Sequence, residues 1–133
     1  MTFDYLTSED IIDLHTVGMQ RYGGKVYSFD QHCVEAKSFL PQSGFGDTER
    51  YEGLFLKAAV YMYYLITSHC FSDGNKRVGF LAADTFLNLN GYVLKVDEDE
   101  LFRFCLKIAD KDTRPPLDEV EHWIKKHAVP FEY

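Results

Sequence analysis

An all-α domain of about six helices is what this sequence predicts, and three observations predict it. Apolar residues recur at helical spacing in six separate stretches. Glycine, proline and Asn-Gly signals stand between those stretches. Strand signals are few and short. The chain has 133 residues, which suits one domain over 1–133. Apolar residues make up 46% of it and aromatics 16%, enough to build a core rather than a disordered chain.

The first helix is expected from about Ser8 to Arg21. Thr7, three residues ahead of Asp10, supplies its capping signal. Ile11, Ile12, Leu14, Val17 and Met19 make a loose apolar face, and Tyr22-Gly23-Gly24 ends it. A shorter helix fits about Phe29 to Leu40. Pro41 to Asp47 then reads as a loop, with at most a minor hairpin between Pro41 and Arg50. From Tyr51 to about Ser68 apolar residues fill nearly every side, so this helix is central and buried.

Helical spacing resumes at Val78 and closes at Asn90-Gly91. Tyr92 to Lys95 is briefly extended. Asp97 to Glu100 is an acid-rich helix start, favourable at the positive end of the helix dipole. Pro115-Pro116 opens a last helix through about Lys126, and 128–133 is the tail.

A formal charge of −7 sets the molecule against phosphate backbones at long range, so nucleic acid is not an expected partner. The beginning of the chain lacks a basic region followed by an apolar run, and the longest apolar stretch is too short for a bilayer. The expectation is therefore a cytoplasmic protein with no membrane partner. Cys33, Cys70 and Cys105 are widely spaced with no Cys-x-x-Cys pair, which reads as idle thiols in a reducing compartment and not as a disulfide framework or zinc knuckle. His122 and His127 are five apart and have no cysteine partners nearby, so no zinc site follows. His15 and His32 stand alone and read as ordinary.

The chemistry concentrates in the polar junction between two apolar helices, His69-Cys70-Phe71-Ser72-Asp73-Gly74-Asn75-Lys76-Arg77. Gly74-Asn75-Lys76 would open the second helix, and the bare N–H groups and partial positive charge of a helix start hold phosphates. Gly74 allows close approach of the backbone, and Asn75 can cap the turn or orient a phosphate oxygen. Lys76 and Arg77 add full charges, the arginine as a planar fork. Asp73 beside bound phosphates calls for a cation, for which Mg²⁺ is suited. His69 is of the residue type most used as a general base. Together they suggest phosphoryl or nucleotidyl transfer.

This string resembles the signature of the Fic/Doc family, in which His, Phe, an acid, Gly or Ala, Asn, Gly or Lys, and Arg stand in the order of His69, Phe71, Asp73, Gly74, Asn75, Lys76 and Arg77. The resemblance extends to Arg21-Tyr22-Gly23-Gly24, Glu35-Ala36, Tyr51, Phe55 to Ala59 and Phe86 to Tyr92, which resemble the death-on-curing (Doc-like) branch in order and spacing. It implies a compact helical bundle with a flap before the central helix. It implies His69 as the base toward a target hydroxyl, Asp73 as the Mg²⁺ ligand, and Gly74, Asn75, Lys76 and Arg77 as the holders of the ATP phosphates. The flap, Pro41 to Arg50, would position the target by backbone pairing.

The resemblance further implies a toxin with a cognate antitoxin, acting on a protein such as a translation factor, of which elongation factor Tu is an example. The commoner Fic pattern has Gly at the place of Lys76 and often Arg at the place of Phe80. These departures favour transfer of the γ-phosphate over transfer of AMP. A nucleotidyl transferase and a non-catalytic nucleotide- or partner-binding module are the two alternatives. Cys70 stands for a frequent Pro, and Val78 for a frequent Thr. Thr48 to Gly53 fits an inhibitory Ser/Thr-x-x-x-Glu-Gly/Asn pattern formally, but at the flap-to-helix junction, where it reads as coincidence.

Overall fold

The computed structural model describes residues 2–22 and 28–131. The Gly23-Gly24 stop expected after the first helix lies outside them. The elements are α1 (Ser8–Tyr22), α2 (Gln31–Phe39), a 3₁₀ turn (Leu40–Gln42), β1 (Gly44–Phe45), β2 (Thr48–Glu49), α3 (Leu54–Thr67), α4 (Asn75–Leu89), β3 (Tyr92–Leu94), α5 (Glu98–Ala109), α6 (Leu117–His127) and β4 (Ala128–Pro130). Among the described residues six helices and two very short strand pairs make the mostly-α bundle that the sequence predicts.

α1 starts on a reciprocal capping box. The Asp10 amide donates to Thr7 Oγ1 at 3.1 Å, and the Thr7 amide to Asp10 Oδ2 at 2.9 Å. Of the expected apolar face, Ile11 and Met19 are buried and Ile12 and Leu14 pack against the core, and only Val17 departs. Ile11, His15, Gly18 and Met19 point inward, while Val17 is 54% exposed. Burial selects the 11–15–18/19 stripe, on which positions three and four apart share one side of the helix.

α3 is the central helix. Lys57 to Met62, Leu65 and Ile66 are buried, and it packs against α2, α4, α5, α6 and the 3₁₀ turn. The crossing of α3 and α4 needs Gly79. A Cβ there would meet Ile66 Cγ1 at 2.6 Å and the Met62 carbonyl oxygen at 3.0 Å.

β1 and β2 pair antiparallel, with Gly44 opposite Glu49 and Phe45 opposite Thr48, and form the flap expected before α3. Thr48 and Glu49 therefore belong to a hairpin strand and not to an inhibitory helix. A second pair corrects the sequence reading of 128–133 as a plain tail. β4 returns to β3 with Tyr92 opposite Pro130 and Leu94 opposite Ala128. Three residues per strand is too little to stand out as a sequence pattern.

The cysteines are a second correction. Cys33 and Cys70 form a disulfide, and Cys105 alone is a free, buried thiol. The two sulfurs meet because the 28–30 segment pairs with 70–72. Phe29 and Phe71 form an antiparallel bridge, the Asp30 amide donates to the Cys70 carbonyl at 2.9 Å, and the Ser72 amide to the Ser28 carbonyl at 2.8 Å. Asp30 then caps α2 by accepting from the Cys33 amide, which turns Cys33 toward Cys70. Among the described residues no helix is long and apolar enough to cross a membrane.

Candidate active site

The motif occupies the link from α3 to α4. His69 follows the end of α3, is exposed, and has φ +54, the left-handed region that a non-glycine residue rarely adopts. Such a backbone persists only where its surroundings hold it, and functional sites are a common place for it. The surroundings here are firm. Phe71 is 2% exposed, anchored between Phe29 and His15.

Asn75 locks the loop in both directions. Its Oδ1 accepts from the Phe71 amide at 3.1 Å and its Nδ2 donates to the Phe71 carbonyl at 2.8 Å. The side-chain amide is thus engaged within the turn. Gly74 is the N-cap of α4 with φ +81, and no side chain caps the helix start. A Cβ at Gly74 would stand 2.7 Å from Met19 Sδ and 3.0 Å from His15 Nε2, so only glycine fits. The first-turn N–H groups of α4 thus have no side-chain cap from Gly74 and no partner within the helix, which suits an anion. The Asp73 carboxylate, exposed beside them, accepts from the Gly74 amide at 2.7 Å.

Asp73, Gly74, Lys76 and Arg77 line one end of a cleft of about 400 Å³ between α1, α4 and α5. Met19, Phe80, Leu81, Leu101, Phe102 and Cys105 make its apolar wall, and Glu98 is also part of its lining. Burial pushes the Cys105 thiol up to about 12, with Lys76 opposing in part, so it lines the wall as a neutral group. His69 and Asn75 are not part of the cleft lining. Of the six expected site residues, four therefore share the cleft, His69 stands on the loop leading into it, and Asn75 braces that loop.

His15 is the residue that sequence reasoning passed over. It is 1% exposed, its ring lies flat on Phe71, and its Nε2 is 2.6 Å from the Asp73 carbonyl oxygen. That oxygen can only accept, so Nε2 carries the proton. Burial lowers the pKa of His15 and keeps it neutral, against smaller raising effects from Asp73. The signal was available, because His15 stands four residues from both Ile11 and Met19 on the buried stripe of α1.

Among the described residues no group of three or more His, Cys, Asp or Glu could cage a metal ion. One exposed carboxylate at a phosphate-ready helix start suits a different arrangement. Mg²⁺ keeps waters and shares one or two carboxylates with substrate phosphates, and Asp73 fits that use.

The chain belongs to the Fic/Doc family. The profile of the Fic/DOC family matches residues 5–87, which carries α1 through nearly all of α4 and the whole motif. Toxin Doc of Mycolicibacterium smegmatis is 35% identical over 96 residues, covering 72% of this chain and 72% of that protein. Protein kinase doc of Escherichia phage P1 is 33% identical over 97 residues, covering 73% of this chain and 75% of that protein. Within the family the chain falls in the death-on-curing branch.

Proposed function

We propose that this Fic/Doc protein is a Doc-type toxin that transfers the γ-phosphate of ATP to a Ser or Thr hydroxyl of a protein. The observation that carries the reading is the uncapped start of α4, with Asp73, Gly74, Lys76 and Arg77 on one end of a cleft whose remainder is largely apolar. Phosphates suit the polar end and a nucleoside suits the rest. The names of the two relatives, a toxin and a protein kinase, point the same way.

Lys76 supports γ-phosphate transfer over AMP transfer, because a charged side chain replaces the glycine of the commoner pattern at the phosphate end. Phe80 supports it too. That position faces the cleft and offers a ring where an arginine would hold more phosphate.

In the proposed reaction His69 accepts the proton of the target hydroxyl as its oxygen bonds to the γ-phosphorus. The bond from that phosphorus to the bridging oxygen breaks, and ADP leaves. The α4 amides, Lys76 and Arg77 hold the phosphates, and Asn75 keeps the loop in shape. Mg²⁺ held by Asp73 and the phosphates supplies neutralisation of phosphate charge. The β1–β2 flap presents an exposed edge to which a target segment can pair. A cognate antitoxin, a translation factor such as elongation factor Tu as target, and action in the cytoplasm complete the proposal. An acidic surface gives no reason to expect nucleic acid as a partner.

The test is incubation with lysate and ATP labelled at the α- or γ-phosphate, beside a His69→Ala control. Protein labelled from γ only, and only with His69 present, is the expected result. Label from α would make the chain a nucleotidyl transferase. Folded protein that labels nothing from γ, in the lysate of its own host, would sink the kinase reading.

A further inference from the structure

Lys57 is a fully buried cation on the central helix, 0% exposed. Its ammonium donates to the Pro41 carbonyl at 3.3 Å and to the Tyr51 carbonyl, and it pairs with Glu49 Oε1 at 3.1 Å. These three partners bracket the flap. Pro41 lies in the 3₁₀ turn before β1, Glu49 is in β2, and Tyr51 follows it. An ammonium has three protons to donate, and here three oxygens receive them.

Among the described residues another tie at the flap's base is Ser43, whose amide and hydroxyl donate to the Leu40 carbonyl at 3.1 and 2.7 Å, but it holds only the entry to β1. Each strand is two residues long and wholly exposed, and Phe45 at its turn is 91% exposed. A two-stranded hairpin of this size is not stable by itself. The Arg50 amide donating to the Ser43 carbonyl at 3.0 Å closes the hairpin on itself but does not tie it to the body. Lys57 does. Burying a charge is unfavourable unless it is fully bonded, so moving the hairpin would strip an oxygen from a buried ammonium. The same flank runs on toward the motif. Tyr51 lies near Tyr64, whose carbonyl accepts from the Ser68 amide at 3.0 Å, one residue before His69.

We propose that Lys57 is a positioning residue for the protein target, setting the β1–β2 edge relative to the helix that leads into His69. This rests on the reading of the flap as the target-docking edge. Lys57 touches neither nucleotide nor target. Its removal should therefore weaken target capture and leave nucleotide binding alone.

The test compares the parent, Lys57→Met and Glu49→Gln in two readouts. One is transfer from γ-labelled ATP to purified elongation factor Tu. The other is backbone amide exchange over 43–50, with 54–67 as internal reference. Lys57→Met should raise KM for elongation factor Tu about tenfold with KM for ATP unchanged, the mark of lost uniform binding of one substrate. Exchange over 43–50 should accelerate about tenfold while 54–67 stays as in the parent, a local opening.

Glu49→Gln leaves two carbonyl partners and should give smaller changes in the same direction. Equal KM values for elongation factor Tu, or unchanged exchange over 43–50, would overturn the proposal. So would a fall in kcat that only follows the folded fraction. If Lys57→Met does not fold, Glu49→Gln decides by the same criteria. If the parent leaves elongation factor Tu unlabelled, that failure belongs to the functional reading, and the exchange result alone decides the role of Lys57.

Discussion

The imidazole of His15 lies almost parallel to the ring of Phe71, with ring centres 3.9 Å apart and planes 9° apart. The same imidazole holds the Asp73 carbonyl through Nε2. One side chain of α1 thus grips the motif loop at two places, on either side of Ser72. With Asn75 bracing the loop from the α4 side, the two fix where the Asp73 carboxylate and the Gly74 amide point.

His15→Phe keeps the stack and removes the donor. The Asp73 carbonyl loses a part-buried hydrogen bond, a loss of about 0.5–1.5 kcal/mol in unfolding free energy. His15→Ala removes both and should cost about 3–5 kcal/mol, as for other large aromatic-to-alanine changes in a core. Urea unfolding checks both. At a temperature where His15→Phe is folded, γ-phosphate transfer should still fall about tenfold or more, because displaced reacting groups lose rate steeply. Transfer equal to the parent would make His15 a packing residue and nothing more.

The Cys33–Cys70 bond joins residues 37 apart in sequence. Closing a loop of that size restricts the unfolded chain by an amount worth roughly 4 kcal/mol in the chain-entropy account. A thiol reductant should lower the urea midpoint accordingly. Alkylation followed by mass measurement gives a second check. Native protein purified without reductant should take up no label. After reduction, half-buried Cys33 should label, while Cys70, as buried as Cys105, should label only on unfolding. Cys105, whose thiol burial pushes up to about 12, should label only on unfolding. Three labelled cysteines in unreduced protein unfolded in urea would refute the pairing.

The difference between what was legible in the sequence and what was not follows from range. Thr7 and Asp10 are three apart and cap each other, so the start of α1 could be read locally. Gly74, Asn75, Lys76 and Arg77 are consecutive, so a phosphate-ready helix start was visible as a string. The Cys33–Cys70 pair was not, because it depends on 28–30 lying against 70–72, a contact between distant segments. In the sequence Lys57 stands only as part of the Phe55 to Ala59 stretch that resembles the Doc-like branch. Only the returning chain at Pro41, Glu49 and Tyr51 explains why a charge is buried there. The glycines and proline mark a loop with at most a minor hairpin and the resemblance implies a flap there, but what anchors it was not legible.

Asp84 gives the pH prediction. It sits within α4, facing β3, where its Oδ1 accepts from the Leu94 amide at 3.3 Å. Burial raises its carboxyl pKa above the usual value near 4, and the hydrogen bond from Leu94 opposes this only in part. The fold therefore holds the proton more tightly than the unfolded chain does. Below the ordinary carboxylate range both states are protonated, and Asp84 makes no pH-linked difference. As pH rises from there to the folded value, the unfolded chain releases its proton first and stability falls. Above the folded value the unfavourable contribution is fully present. Asp84→Asn keeps an oxygen for the Leu94 amide and carries no charge. It should therefore be more stable than the parent at pH 7, and the advantage should shrink as pH is lowered toward about 4, the unfolded carboxylate value. Urea midpoints of both proteins across that range measure it. An asparagine variant less stable at pH 7, or an advantage that does not change with pH, would show that the charge of Asp84 does not oppose folding.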